Sequence, residues 1–179
     1  MVRYRRNFVP GGTFFFTLAL ADRRSSLLVD HVGLLRAAFR SARERKPFAV
    51  DAIVILPDHL HAILTLPSGD SDFSGRWRSI KATFTRSIIA TGADNRCNHR
   101  GEYLLWQRRF WEHTIRDDDD FERCASYVHF NPVKHRLVST PNEWLFSSLH
   151  RYVRAGILPR DWGGGGAPPD TVNFGERTE

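Results

Sequence analysis

Two histidines separated by one leucine stand in the stretch PDHLHAILTLP, residues 57–67, whose apolar pattern predicts a strand. Because side chains alternate across a strand, His59 and His61 project from one face and Leu60 projects from the other. Two imidazoles at this spacing can bind a single metal ion if a third ligand joins them. Two independently hydrogen-bonded histidines have the same spacing, so both interpretations stay open.

A tyrosine and an asparagine lie four residues apart in SYVHFNPVKH, residues 126–135. In the helix predicted over residues 117–130, Tyr127 lies at the flank of the apolar stripe, and Asn131 follows on nearly the same side. This stripe consists of Phe121, Cys124, Ala125 and Val128. Tyr127 can reach an adjoining site from that edge, or it can be a packing residue whose hydroxyl meets water. Pro132 is predicted to end the helix, so Asn131 can also be a simple terminal residue.

These residue types have a chemistry in common. A tyrosine hydroxyl can attack a phosphodiester and form a covalent phosphotyrosine, and a divalent metal ion can polarise the phosphate and orient the leaving oxygen. Two imidazoles and one amide oxygen leave coordination positions for phosphate oxygens and water. Mg²⁺ prefers harder ligands than imidazole, so Mn²⁺ fits as well. The phosphotyrosine bond conserves energy, so rejoining a strand needs no nucleotide cofactor.

The elements that must position these residues follow the order β-α-β-β-α-(β)-α. Strands are predicted at residues 13–20, 48–57 and 59–67, with a further short one within 104–115. Helices are predicted within residues 25–45, 76–92, 117–130 and 147–156. This order predicts an α+β, ferredoxin-like fold: an antiparallel sheet with helices on one face and the two histidines on a central strand.

Length and composition set broader limits. The chain of 179 residues predicts one domain over residues 1–162 and a flexible Gly/Pro-rich tail over residues 163–179. The net charge of +6 suits a polyanionic partner such as nucleic acid, although a merely solvated basic surface is the alternative. The two cysteines define neither a disulfide framework nor a zinc pair. No apolar signal core or bilayer-length apolar run is present, so we expect a cytoplasmic protein without a membrane partner.

Five blocks of the sequence resemble, in order, the HUH single-strand transposases with one catalytic tyrosine, and more specifically their REP-associated tyrosine transposase branch. PDHLHAIL resembles the histidine–hydrophobe–histidine motif, and YVHFNPVKHRLV resembles the tyrosine helix with asparagine four residues on. The other blocks are GDSDFSGRWRSIKATFTR, WQRRFWEHTIRD and FSSLHRYVRAGILPRDWGG. The likeness covers roughly residues 3–164.

The resemblance implies that Tyr127 is the catalytic nucleophile and that His59, His61 and Asn131 bind Mg²⁺ or Mn²⁺. It also implies an endonuclease and strand transferase of DNA transposition, which leaves a 5′-phosphotyrosine on the enzyme and a free 3′-hydroxyl on the DNA. The expected partner is single-stranded DNA folded into palindromic hairpins, in the nucleoid of a bacterial cell. One departure, Lys134-His135 where the family often has Arg-Ala, lies beyond the motif residues.

Seven basic residues are predicted to contact DNA, with a solvated surface as the alternative for each group: Arg3, Arg5, Arg6, Arg76, Arg78, Lys81 and Arg86. Two other functional classes stay open. One is a non-catalytic hairpin-binding module on the same fold, and the other is a small-molecule hydrolase that uses the histidine pair to activate water. Monomer and homodimer are both compatible with the sequence.

Overall fold

The computed structural model describes residues 7–93 and 103–164; the predicted contacts Arg3, Arg5 and Arg6, and the predicted tail beyond Gly164, lie outside these ranges. The strands are β1 (Thr13–Ala19), β2 (Ala49–Ile55), β3 (His59–Thr65) and β4 (Trp111–Thr114). The helices are α1 (Leu27–Asp30), α2 (Val32–Arg45), α3 (Phe73–Thr91), α4 (Asp118–Lys134) and α5 (Leu149–Arg154), and a short 3₁₀ helix spans Pro141–Glu143. None of these helices has the length and apolar character that a membrane crossing requires.

The four strands form one antiparallel sheet in the order β2-β3-β1-β4. β1 and β3 are therefore the central strands, and their register places Thr17 opposite His61 and Ala19 opposite His59. Both the antiparallel sheet and the central position of the histidine strand are confirmed.

One face of the sheet packs against α2 and α3. The leucines of β3 lie on this face, as the alternation predicts, together with Phe14 and Phe16 of β1. Trp77 and Phe84 of α3 pack against them and are fully buried. Full burial of one such side chain contributes about 1.5–3 kcal/mol, so this layer supplies much of the stability.

The other face is covered by α4, which differs from the predicted arrangement with helices on one face only. Phe15, Val54 and Ile63 make this second face apolar, and they pack against Cys124 and Val128 of α4. A sheet face with buried apolar side chains must be covered by another layer. The sheet consequently lies between two helical layers, and the histidines of β3 face α4.

α4 runs to Lys134, whereas the sequence predicts that it ends before Pro132. Proline lacks the N–H that would bond to Val128. The helix nevertheless continues, because the His135 N–H donates to the Asn131 carbonyl at 3.0 Å. It then ends in a Schellman arrangement around Arg136, where the Leu137 N–H donates to the Pro132 carbonyl at 2.9 Å.

Arg136 is the one described non-glycine residue with positive φ, at 55°. A Cβ atom is strained in this left-handed conformation, whereas glycine adopts it freely. We expect Arg136→Gly to raise the free energy of unfolding by about 1 kcal/mol and Tm by about 2–4 °C. Thermal unfolding followed by circular dichroism measures the shift. Arg136→Ala, which keeps the Cβ atom, serves as the control and should show no gain; an equal gain in both variants would contradict the explanation.

Arg76, one of the predicted DNA contacts, is buried with 1% of its surface exposed. Its guanidinium donates two hydrogen bonds to the Asp70 carboxylate, at 3.0 and 2.8 Å. It also donates to the carbonyls of Asp72 and Pro47, at 3.0 and 2.7 Å. The prediction that Arg76 contacts DNA is therefore wrong, because this side chain fastens the start of α3 to the segment before β2.

The same ion pair makes stability depend on pH. The hydrogen bond from Arg76 lowers the pKa of Asp70 from 3.8 to about 2, so ionised Asp70 contributes stability above pH 4 that is lost as the pH falls toward 2. We expect Asp70→Asn to lower the free energy of unfolding at neutral pH by only about 1 kcal/mol, because solvent screens the ion pair at the 34% exposed Asp70 side chain. Urea titrations at several pH values should show the deficit shrinking between pH 4 and pH 2. A deficit independent of pH would exclude the linkage.

Candidate active site

The histidine pair of β3 and the tyrosine helix α4 meet on the second face of the sheet. The His61 and Tyr127 ring centroids are 5.3 Å apart, in an edge-on arrangement. The His59 ring lies 5.1 Å from the His61 ring and 4.8 Å from the His135 ring. The strand therefore runs beneath the last turns of the helix, with one histidine beside Tyr127 and the other beside His135.

Asn131 lies between these two contacts. Tyr127, Asn131 and His135 follow one another at steps of four residues, so they share one face of α4. Because the two outer residues touch His61 and His59, the middle one faces the same pair. Asn131 is completely buried, with 0% exposed. The structure thus brings His59, His61 and Tyr127 together and buries Asn131 on the same face of α4.

The phenol ring of Tyr127 is held on several sides. It is only 4% exposed, and the Phe15 ring of β1 meets it edge-on at 5.9 Å. The Phe15 ring also stacks on His61 at 5.5 Å. Rings from both central strands therefore hold the tyrosine ring, which limits the directions in which its hydroxyl can point.

An acidic residue orients His59. Asp58 Oδ1 lies 2.7 Å from His59 Nδ1, and Arg23 Nε donates to Asp58 Oδ2 at 2.8 Å. Burial by itself raises the pKa of Asp58, but the hydrogen bond and charge of His59, with the Arg23 guanidinium, outweigh it and hold that pKa below its usual value. A carboxylate on Nδ1 directs Nε2 toward the site and increases its basicity as a metal ligand.

A hydroxyl orients His61 in the same way. Thr17 Oγ1, on the neighbouring strand β1, lies 2.9 Å from His61 Nδ1. When Nδ1–H donates to this oxygen, the Nε2 lone pair is the one available to a ligand. Both histidines of the pair therefore use Nδ1 within the protein, and their rings contact residues of α4.

The donor set fits a divalent metal ion. It comprises two imidazole nitrogens and one amide oxygen, all from side chains no more than 2% exposed. As metal ligands the three donors would be uncharged, so a bound dication would keep its positive charge for an anionic substrate. Three protein ligands also leave coordination positions open, as catalytic sites require.

A second group of metal-ligand residue types occurs near β4, formed by His113, Asp120 and Cys124. The Asp120 carboxylate already accepts from His113 at 2.9 Å, Arg116 at 3.2 Å and Arg123 at 3.3 Å. Burial raises the pKa of the Cys124 thiol to about 12, so its sulfur stays protonated. The group is better explained as an ion-pair network that joins β4 to α4, and His113 belongs to it.

Lys134 and His135, which the sequence places beyond the motif, belong to the site. Lys134 Nζ donates to Tyr127 Oη at 2.9 Å and lies 4.6 Å from the centre of its ring. A spacing of seven residues is nearly two full helical turns, so it predicts a shared face if the helix continues. Because Pro132 is expected to end the helix, the sequence alone does not place Lys134 on the helical face of Tyr127.

The remaining predicted DNA contacts have different surroundings. Arg78 and Arg86 are exposed on α3. Lys81 is partly buried, and its ammonium donates to the Gln107 carbonyl at 2.9 Å and lies 5.6 Å from the Trp106 ring centre. Burial lowers the pKa of Lys81 to about 8. This lysine therefore has a packing role whether or not it also meets DNA.

Comparison with known proteins gives a consistent result. No family model matches the chain. The REP-associated tyrosine transposase of Escherichia coli K12 is 45% identical over 179 residues, which cover 99% of this chain and 98% of the relative. A relative from Haemophilus influenzae is 44% identical over 167 residues, covering 92% of this chain and 94% of its own.

A solved structure is similar over the same extent. The structure of a REP-associated tyrosine transposase bound to a REP hairpin has 42% sequence identity and a TM-score of 0.87, covering 100% of this chain and 99% of that one. Identity at this level over nearly the whole chain, together with a tyrosine helix lying over an oriented histidine pair, shows that the chain belongs to the REP-associated tyrosine transposases and is an HUH-type tyrosine transposase.

Proposed function

We propose that the protein binds palindromic DNA hairpins and cleaves and rejoins the single strand beside them through a 5′-phosphotyrosine on Tyr127. The observation that supports this most directly is the edge-on contact of the Tyr127 and His61 rings, at 5.3 Å. This contact supports the proposal because tyrosine-mediated phosphodiester transfer needs the proposed nucleophile beside the proposed metal site.

In the proposed reaction, Tyr127 Oη attacks the phosphorus of a phosphodiester. One bond from Oη to phosphorus forms, and the bond from phosphorus to the 3′-oxygen breaks. The phenolic proton passes to solvent, and the departing 3′-oxygen takes up a proton to become a free hydroxyl. Rejoining is the reverse attack by a 3′-hydroxyl. Bonds made equal bonds broken, so no nucleotide cofactor is consumed.

We assign His59, His61 and Asn131 as the residues that hold a divalent metal ion. When bound there, the ion would polarise the phosphate and orient the leaving oxygen. Mn²⁺ accepts imidazole readily, whereas the harder Mg²⁺ is favoured by the amide and phosphate oxygens, so the donor set suits either ion. Asp58 and Thr17 would orient the two imidazoles for the ion, because each holds one Nδ1.

The proposed DNA partner accounts for the basic charge. The similar solved protein is bound to a REP hairpin, and this chain carries a net charge of +6. We retain the exposed Arg78 and Arg86 as contacts to hairpin phosphates, along with Arg3, Arg5 and Arg6 of the N-terminal arm. Contacts of this kind are electrostatic, so hairpin binding should weaken as salt rises.

The test uses a palindromic hairpin oligonucleotide with a short single-stranded extension, labelled at either end. Incubation with Mg²⁺ or Mn²⁺ followed by a denaturing gel should show a covalent protein–DNA adduct that carries only the 5′-phosphorylated fragment. EDTA should prevent its formation. A hairpin that is bound but never cleaved with either metal would favour the non-catalytic binding module instead.

A further inference from the structure

We propose that Lys134 is a positioning residue for the nucleophile: its ammonium holds the Tyr127 hydroxyl and keeps a positive charge beside the phosphate that this hydroxyl attacks. The inference rests on the proposed function. It adds a residue beyond Tyr127 and Asn131, at the end of α4 where the sequence departs from the pattern often found.

The geometry behind this assignment is specific. Lys134 Nζ lies 2.9 Å from Tyr127 Oη, within hydrogen-bonding distance, and 4.6 Å from the centre of the phenol ring. A lysine over an aromatic face is attracted by the ring electrons, and one that also reaches the hydroxyl restricts where that hydroxyl can go. The two contacts together hold the side chain along the ring.

The end of α4 brings the Lys134 ammonium within reach of the Tyr127 hydroxyl. Residues 127 and 134 share a helical face only because the helix continues past Pro132 to Lys134. The bond from the His135 N–H to the Asn131 carbonyl, at 3.0 Å, closes the last turn and fixes the position of Lys134. The same turn carries Asn131, so one piece of backbone sets both the proposed metal ligand and the lysine.

The surroundings of Tyr127 strengthen the hydrogen bond from Lys134 to its hydroxyl. Tyr127 is 4% exposed and enclosed by the rings of Phe15 and His61. A hydrogen bond next to such an apolar enclosure is electrostatically stronger than one in water. The lysine approaches from the end of the helix, where residues 134–137 are exposed to solvent.

The lysine acts without exchanging protons. As Oη bonds to phosphorus, the phenolic proton leaves to solvent and the 3′-oxygen takes up another, so Lys134 keeps all its protons throughout. Its N–H donates to Oη before the attack, and its charge would then stand near the phosphate that Oη attacks. A hydrogen bond from a cation strengthens as its acceptor becomes negative, which favours the reacting state over the resting one.

Three variants test the assignment: Lys134→Met, Lys134→Arg and, as the matched control, Arg136→Met. Arg136 is an exposed cation two residues further along. Single-turnover adduct formation and hairpin Kd are measured for each, alongside thermal unfolding. We expect Lys134→Met to slow adduct formation by about 10- to 100-fold while Kd changes less than about twofold. Lys134→Arg should recover part of the rate, and Arg136→Met should match wild type.

Equal slowing in Lys134→Met and Arg136→Met would overturn the inference, because general attraction of DNA would then explain the loss. A change in Kd alone, or an adduct rate in Lys134→Met equal to wild type, would also overturn it. If Lys134→Met fails to fold, Lys134→Arg is compared with Arg136→Met instead. Complete loss of adduct formation in folded Lys134→Arg, with a wild-type rate in Arg136→Met, would contradict a positioning charge. If wild type forms no adduct, the proposed function itself fails, an outcome distinct from these.

Discussion

Tyr127→Phe is expected to abolish both DNA cleavage and the covalent adduct, while hairpin binding survives. The hydroxyl that this change removes is the proposed nucleophile, so the loss of adduct-forming rate should be at least about 10⁴-fold. The phenylalanine ring keeps the edge-on contacts with Phe15 and His61. Single-turnover assays on a labelled hairpin measure the rate, and a gel-shift titration measures Kd.

The chain offers a matched control in Tyr152. This tyrosine lies on α5, and its hydroxyl donates to the Asp51 carbonyl at 2.9 Å. Tyr152→Phe also removes one hydroxyl hydrogen bond, which costs about 1 kcal/mol of stability, but it leaves the site intact. It should cleave at the wild-type rate. Cleavage by Tyr127→Phe at a comparable rate would refute the nucleophile assignment.

The face on which the histidines lie could be predicted from β3 alone. Side chains in a strand alternate strictly, so once the strand exists, Leu60 and His61 must point to opposite sides. Tyr127 and Asn131 could be paired in the same way from the helical period. These local periodicities depend on neighbours along the chain, which is why they survive in the folded protein.

The layer that covers the histidines was harder to predict. Ile63 shares the face of His59 and His61, and this apolar neighbour was a signal that the face is buried. A fold with helices on one side only would leave this apolar residue uncovered. Which helix covers a face depends on the path of the connecting chain, and the lengths of the elements do not determine that path.

Arg76 and Lys134 show two further limits of prediction from the sequence. Arg76 lies among exposed basic residues in the sequence, but one of its partners, the Pro47 carbonyl, is 29 residues away and no local pattern predicts it. Lys134 follows Pro132, and proline usually ends a helix, so the helical period alone does not pair Lys134 with Tyr127. Here the tertiary packing of α4 against the sheet and the Schellman arrangement after it outweigh that local preference.

The second large effect is expected at His61. His61→Gln replaces a proposed metal ligand by a side chain of similar bulk that cannot place a nitrogen at the same point while bonded to Thr17. Loss of a group that merely orients a ligand costs about 10- to 100-fold in metal affinity, so loss of the ligand itself should exceed about 100-fold. Mn²⁺ binding measured by electron paramagnetic resonance gives this affinity directly, without relying on cleavage.

His129→Gln is the control that separates a metal ligand from a buried histidine. His129 also lies on a buried surface, but it faces away from the pair and its Nε2 lies 3.0 Å from Ser148 Oγ. Burial, with a smaller contribution from Arg151, lowers its pKa to about 4, so it is neutral at pH 7 as a ligand histidine is. The control should lose stability and keep Mn²⁺ affinity. Wild-type Mn²⁺ affinity in His61→Gln would remove His61 from the metal site, whereas equal losses in both variants would indicate that unfolding, not ligand removal, caused them.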